Sequence, residues 1–343
     1  MSSLNENIEY HIISINECDR ISEIGPSQWI EKAWRFDQDY RDILKAWDIN
    51  RVVDFEEYVT SAIRFTTANE KNYVLKRKGN IEKINTEHEL LKHIQNNGIV
   101  VPVPLKTAEG NLYVKKDGVN YTLYDYIEGT TIQYDFEKDN KDVLFKHGQV
   151  LGKLHRVMNT YNGTNEGIVD MNIENEVLNW AIPLINKNIS DNKNKEIIDD
   201  IAKEMIDIFI KLPKQYIHRD PHGRNILFQG DSFIGFIDFD LCKIGYKVFD
   251  LCYVMTGVLM DGFEKEGNKE KWLDLITQIS MGYETENSIE PVEKESFWYI
   301  FLAIQMICTA WFYQVNDNKM AKLNIEALYW IYDNKELIQS KIK

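Results

Sequence analysis

Cysteine and proline are scarce, with four and seven residues in a chain of 343. Cys18, Cys242, Cys252 and Cys308 lack CxxC spacing, so neither a zinc site nor a disulfide framework is suggested, and buried thiols are expected. No internal repeat or low-complexity tract is present. The opening "MSSLNENIEYHIISINE" has no basic end followed by an apolar block, and no apolar run approaches the roughly 18 residues a membrane helix needs. A cytoplasmic protein with no membrane partner is therefore expected. Positive charge is also in deficit: 40 Lys and Arg against 54 Asp and Glu give a net charge of -14, which argues against nucleic-acid partners because these require a basic face. The same balance permits a cationic substrate.

What is there suits a soluble globular protein of two lobes, long enough to bury a large core. Residues 1–50 read as a helical extension packed on the body, with "DQDYRDILKAWDI" spaced like an amphipathic helix. Residues 51–130 turn to strands: "VVDFEEYV", "SAIRFTTA", "NYVLKRK", "LYVKKDG" and "YTLYDYI". The "ANEKN" turn suits a hairpin, and "INTEHELLKHIQNNG" predicts a helix closed by Gly98. From 131 to 343 helical spacing dominates, as in "VLFKHGQVLGKLHRVMNTY", where Leu144, Gly148, Leu151, Leu154 and His155 share a face. The spacing gives a sheet-rich front lobe and a helical rear lobe.

One stretch interrupts the helices: "YIHRDPHGRNILFQGDSFIGFIDFD", 216–240. It reads as strand, tight loop and a two-stranded hairpin turned at "QGDS". A buried strand pair gains nothing from carboxylates at its edge unless they bind something. The loop projects Asp220 and Asn225, and the hairpin returns Asp238 to the same mouth. Magnesium takes oxygen ligands, one or two from protein with the rest from phosphates and water. Asn225 and Asp238 supply such oxygens, leaving Asp220 to orient a hydroxyl. Phosphoryl transfer needs this arrangement, since its chemistry is mostly placement and charge neutralisation.

These residues resemble the protein-kinase-like fold, with "HRDPHGRN" as catalytic loop and "IDFD" in place of the DFG aspartate. Asp238 and Asp250 are only 12 positions apart, too few for a protein kinase activation segment. With "LGKLHRVM" and "FDLCY", the pattern is similar to the aminoglycoside phosphotransferase, choline kinase and homoserine kinase group of small-molecule kinases. The resemblance covers roughly 50–335. It implies an α+β, bilobal fold with a small antiparallel-sheet N-lobe (51–130) and a mainly helical C-lobe (131–343). It further implies a cytoplasmic transferase using ATP or GTP with Mg2+ to phosphorylate a hydroxyl of a small molecule, for example a cationic amino alcohol, amino sugar or aminoglycoside. A non-catalytic, coat-type relative and a protein kinase are the alternatives.

The resemblance also assigns residues. Asp220 is the catalytic base or hydroxyl-orienting group, and Asn225 and Asp238 hold the metal. Lys76 matches the phosphate-binding lysine and Glu87 its helix partner, with Lys78, on the same strand face, as the fallback. In the segment joining the lobes, the carbonyl of Asp125 and the amide of Ile127 read the purine with Tyr124 behind. The nucleotide loop lacks glycine, leaving Thr60 and Ser61 to offer hydroxyls. Many members carry Gly where Arg219 stands, and an internal salt bridge is expected for it. His218 and Asp250 are expected to hold the loop, His155 to be a satisfied core histidine, and His222 to contact phosphate or substrate. Asp240 is expected to stabilise the metal loop or cap a turn. Acceptor specificity is expected from 161–212 and the helices after Asp250.

Overall fold

The computed structural model describes residues 40–58, 62–132, 134, 136, 140–189 and 192–342. Five antiparallel strands form the front sheet: β1 (Val52–Tyr58), β2 (Ala62–Thr67), β3 (Asn72–Lys78), β4 (Val114–Lys116) and β5 (Val119–Asp125), in the order β1-β2-β3-β5-β4. The expected hairpin is there. Thr66 faces Asn72 across β2 and β3, and Glu70 takes the left-handed conformation that the turn needs.

Alternation decides the sheet's inner face: Ile63 and Phe65 of β2, Leu75 of β3 and Leu123 of β5 are all buried. Helix α1 (Tyr40–Leu44) and the turn after it bring Tyr40, Ile43 and Leu44 onto Phe65, Leu75 and Leu123. The Trp47 indole N–H donates to the Leu105 carbonyl at 3.0 Å. The first 39 residues of the expected extension lie outside the described residues. Helix α2 (Ile81–Asn96) starts at Asn80, whose side chain accepts from the Glu82 amide at 2.8 Å, and stops before Gly98, which has φ +77.

The rear lobe carries two small sheets. One pairs β7 (Lys214–Ile217) with β10 (Lys243–Tyr246); the other has the order β6-β8-β9, from Thr130–Thr131, Ile226–Gln229 and Ser232–Phe236. Around them pack α3 (Lys141–Met158), α4 (Ile182–Asn188), α5 (Asn192–Phe209), α6 (Lys247–Gly262), α7 (Asn268–Glu284), α8 (Pro291–Gln314), α9 (Asn318–Asp333) and α10 (Lys335–Ile342). Helices α3 and α7 meet backbone to backbone. A Cβ at Gly148 would lie 2.0 Å from the Ile279 carbonyl oxygen, and one at Gly282 would lie 1.9 Å from that of Phe145.

One expectation is corrected. Helix α8, 24 residues long, contains a window of mean hydropathy 1.4, apolar and long enough to cross a membrane, of which 78% is buried within the protein. The run escapes notice in the sequence because Gln305 and Thr309 punctuate it; buried on nearly every side, it forms the middle of the rear-lobe core.

Candidate active site

The loop after β7 is held from behind by Asp250 of α6. Its carboxylate accepts the His218 amide at 2.8 Å and the Arg219 amide at 2.9 Å, and His155 adds a third contact at 3.0 Å. Arg219 has φ +75, a left-handed conformation that is unfavourable for a residue with a Cβ and free for glycine. Both amides on Asp250, a 2.9 Å bond from the guanidinium to Glu176, and stacking 3.9 Å over the Phe249 ring hold it there. The expected internal salt bridge is thus with Glu176, which projects from the π-helical stretch Glu176–Ala181. His218 bonds the Ile237 carbonyl at 2.9 Å, and His155 is fully buried between Asp250 and the Tyr283 hydroxyl at 2.8 Å, both as expected.

Asp220 follows. It is 5% exposed; one carboxylate oxygen, Oδ1, has no partner, and Oδ2 accepts from the Asn225 amide at 3.2 Å. The same amide nitrogen donates to the Asp220 carbonyl at 2.8 Å. Tyr253 on α6 lies within electrostatic reach of the Asp220 carboxylate. Burial pushes the Asp220 pKa up to about 6, opposed by nearby His222 and reinforced by Asp238. His222 sits 3.5 Å from Asp220 Oδ2 and accepts the Arg224 amide at 3.2 Å, so its contacts here are with the loop itself.

The hairpin then brings Asp238 alongside. Ile226 pairs with Phe236, and the Ile237 amide donates to the Asn225 carbonyl at 2.9 Å, which sets residue 238 next to 225. With its amide nitrogen committed to Asp220, Asn225 has its side-chain oxygen left to give, and the Asp238 carboxylate is 44% exposed. Two hard oxygen donors side by side suit a divalent cation that also carries phosphate and water.

From the front lobe three lysines reach the same place. Lys76 lies 2.8 Å from Asp238 and 3.4 Å from Asp240. Lys78 lies 2.6 Å from Glu87 and 2.5 Å from Asp240, and Lys83 donates to the Asp240 carbonyl at 2.5 Å. The expected Lys76–Glu87 pair is corrected: the partner of Glu87 is Lys78. Both lysines share a face of β3, but Lys78 stands two residues, roughly 7 Å, nearer the turn into α2. Burial works against the Lys76 ammonium, yet Asp238 and Asp240 hold its pKa above the ordinary lysine value. Burial likewise opposes the Asp240 carboxylate, which Lys76 and Lys78 hold well below the usual range. Asp240 therefore ties the segment after β9 to the front lobe and caps nothing.

Tyr124 is buried with its hydroxyl 3.2 Å from Glu87. Asp125 ends β5 opposite Tyr73, and Ile127 lies just beyond, where the Tyr126 amide donates to the Asn72 carbonyl at 3.1 Å. Thr60 and Ser61 lie outside the described residues. Sequence reasoning missed Tyr253, Glu176, Lys83, and the pair of His147 and Tyr134. Helical spacing gave a signal for Tyr253, three residues past Asp250, and for His147, four before Leu151.

The profile of the phosphotransferase enzyme family matches residues 55–270, well over half of the chain, and the chain belongs to that family. A homoserine kinase of Janthinobacterium sp. (strain Marseille) is 23% identical over 176 residues, 50% of this chain and 52% of that one, so the match spans about half of that relative's length. Two solved structures share the fold: an amicoumacin kinase in complex with AMP-PNP, Ca2+ and Ami (TM-score 0.64, 15% identity, 96% of each chain) and a microcompartment-associated aminopropanol kinase (TM-score 0.66, 12% identity, 89% of this chain and 99% of that one). The bilobal, protein-kinase-like architecture expected from the sequence is the observed one.

Proposed function

We propose that the protein is a cytoplasmic phosphotransferase that moves the terminal phosphoryl group of ATP or GTP to a hydroxyl of a small molecule, with Mg2+ as the metal. The observation that carries this reading is the Asp220 carboxylate. It is buried, has one oxygen without a partner and the other fixed by Asn225, and sits beside an oxygen-donor pair and a lysine from the opposite lobe. Burying such a group without a full set of partners costs stability, which is the mark of a site organised for a ligand.

In this reading Asp220 Oδ1 accepts a hydrogen bond from the acceptor hydroxyl, orients its oxygen and takes its proton as transfer proceeds. Asn225 and Asp238 are the residues that hold the metal, which when bound screens the charge of the phosphates. Lys76, already on Asp238, faces the phosphates; Lys78 and Glu87 fix the strand that carries it. Thr60 and Ser61 offer hydroxyls to the phosphates, and the backbone at Asp125 and Ile127 reads the purine against Tyr124. The neighbour solved with AMP-PNP and Ca2+ supports use of a nucleotide with a divalent cation. The relatives named as homoserine and aminopropanol kinases support an acceptor with both a hydroxyl and an amine, such as an amino alcohol, with amino sugars and aminoglycosides as the larger members of that class.

Asp220→Asn tests the reading. It is expected to lower turnover at least about 100-fold while nucleotide affinity stays within about twofold. Near-normal turnover in that variant refutes the role. A native protein whose melting curve ignores ATP, GTP and magnesium moves the reading to a non-catalytic, coat-type member.

A further inference from the structure

Helix α6 is buried along its first three turns with one exception: from Lys247 to Leu259 every residue is buried except Gly257. Glycine is a poor choice for a helix interior, since it surrenders more conformational freedom than any other residue. Close packing explains Gly148 and Gly282, but not this one. A Cβ at Gly257 meets no atom within 4 Å beyond its own adjoining backbone. The position is a window in an otherwise covered helix.

The window opens beside the reacting group. Helical spacing lines up Asp250, Tyr253, Gly257 and Asp261 along one face. Asp250 holds the catalytic loop, and Tyr253 lies within electrostatic reach of Asp220, whose Oδ1, buried and without a partner, is left for a ligand. Gly257 is one turn further, roughly 6 Å along the axis. Asp261, another turn on, is exposed and lies in the electrostatic reach of His222 and Arg224. Cys308 of α8 lies in the electrostatic reach of both Tyr253 and Asp220.

We infer that the bare face of α6 at Gly257 is the floor of the acceptor pocket and sets the size of the acceptor, with Asp261 receiving the acceptor's ammonium group. The inference rests on the phosphotransferase reading and narrows it to a compact alcohol that carries an amine. Two sources share that chemistry, an amino alcohol and a hydroxy amino acid; the second brings a carboxylate within reach of Arg224.

The test compares the native protein with Gly257→Ala, Gly257→Leu and Asp261→Asn. The panel holds 3-aminopropanol, homoserine, 1-propanol and kanamycin; the readings are acceptor binding by calorimetry, kcat and KM, nucleotide Kd, and Tm. Gly257→Ala is expected to raise Tm by about 1–2 °C, since the added methyl has room and the helix gains propensity. It raises acceptor KM several-fold, and Gly257→Leu lowers acceptor kcat/KM at least about 100-fold, both with nucleotide Kd unchanged. Asp261→Asn weakens the amine-bearing acceptors about tenfold and leaves 1-propanol unaffected. A greater loss for homoserine than for 3-aminopropanol on Arg224→Gln identifies the hydroxy amino acid as the source; equal losses identify the amino alcohol. A Gly257→Leu protein that keeps acceptor kcat/KM within about threefold overturns the pocket and leaves the phosphotransferase reading standing. Failure of every panel member to bind the native protein also overturns the pocket. Failure of the native protein to bind or turn over nucleotide overturns the phosphotransferase reading instead.

Discussion

Two carboxylates organise the cleft in opposite ways. Asp250 is fully buried inside the rear lobe and spends its oxygens on two backbone amides and an imidazole. Asp240 is partly exposed between the lobes and is held by ammonium groups on long side chains from the opposite lobe. Amide partners are fixed by the fold, so the Asp250 set has one arrangement. The Asp240 set instead spans the two lobes, with Lys76 and Lys78 of the front lobe on a carboxylate of the rear one. One network builds the loop, and the other ties the hairpin's end to the front lobe.

The largest expected effect breaks the first network. Asp250→Ala removes the acceptor of two buried amides and of His155 at once, and each is left without a partner in a dry interior. A loss of about 4–5 kcal/mol in stability is expected from urea unfolding. A loss below about 1 kcal/mol would show that water or the Arg219 contacts to Glu176 and Phe249 support the loop by themselves.

The same contrast explains what was legible in the sequence. "HRDPHGRN" is short, and a local motif carries its own geometry, so Asp220 and Asn225 stand together; the hairpin between "ILF" and "FIGF" returns Asp238 of "IDFD" beside them. The partner of Glu87 was not legible. Lys76 and Lys78 share a face, and only the docking of α2 on β3 settles which reaches Glu87. Tyr253 and His147 come from helices distant in sequence from the loop, where spacing gives the face of the helix but not what it meets. The apolar length of α8 was not legible because Gln305 and Thr309 interrupt the run, and its burial depends on segments from across the rear lobe.

The second prediction separates the two lysines. In the Lys78–Glu87 pair the side chains are 8% and 4% exposed, so Lys78→Ala leaves a buried carboxylate without its cation, at a cost of about 3 kcal/mol. The Lys76–Asp238 pair is far more open on the Asp238 side, 44% exposed, and Lys76→Ala is expected to change stability by less than about 1 kcal/mol. Nucleotide affinity ranks the other way: Lys76→Ala weakens it at least about tenfold by titration calorimetry. If Lys78→Ala weakens nucleotide binding more than Lys76→Ala at equal folded fraction, the phosphate-facing role passes to Lys78.

The smallest effect tests whether the loop's support extends to α3. His147 is fully buried; its Nε2–H donates to the Pro221 carbonyl at 3.1 Å, next to Asp220, and its Nδ1 accepts from the Tyr134 hydroxyl. The bond at Nδ1 requires the neutral ring; the bond to Pro221 is made by either form and on its own favours the charged one. Burial pushes its pKa down to about 4, whereas an unfolded histidine titrates near 6.5. Below about pH 6.5 the unfolded chain takes up a proton that the folded protein refuses. Stability is therefore lost as pH falls, until both states titrate near pH 4. By pH 5 the difference of about 1.5 units amounts to about 2 kcal/mol. His147→Gln cannot titrate, so its stability, lower than native at pH 7, should approach the native value at pH 5 in guanidinium unfolding. Parallel profiles for the two proteins would mean that His147 protonates freely in the folded state, and that the Pro221 end of the loop is held by other contacts.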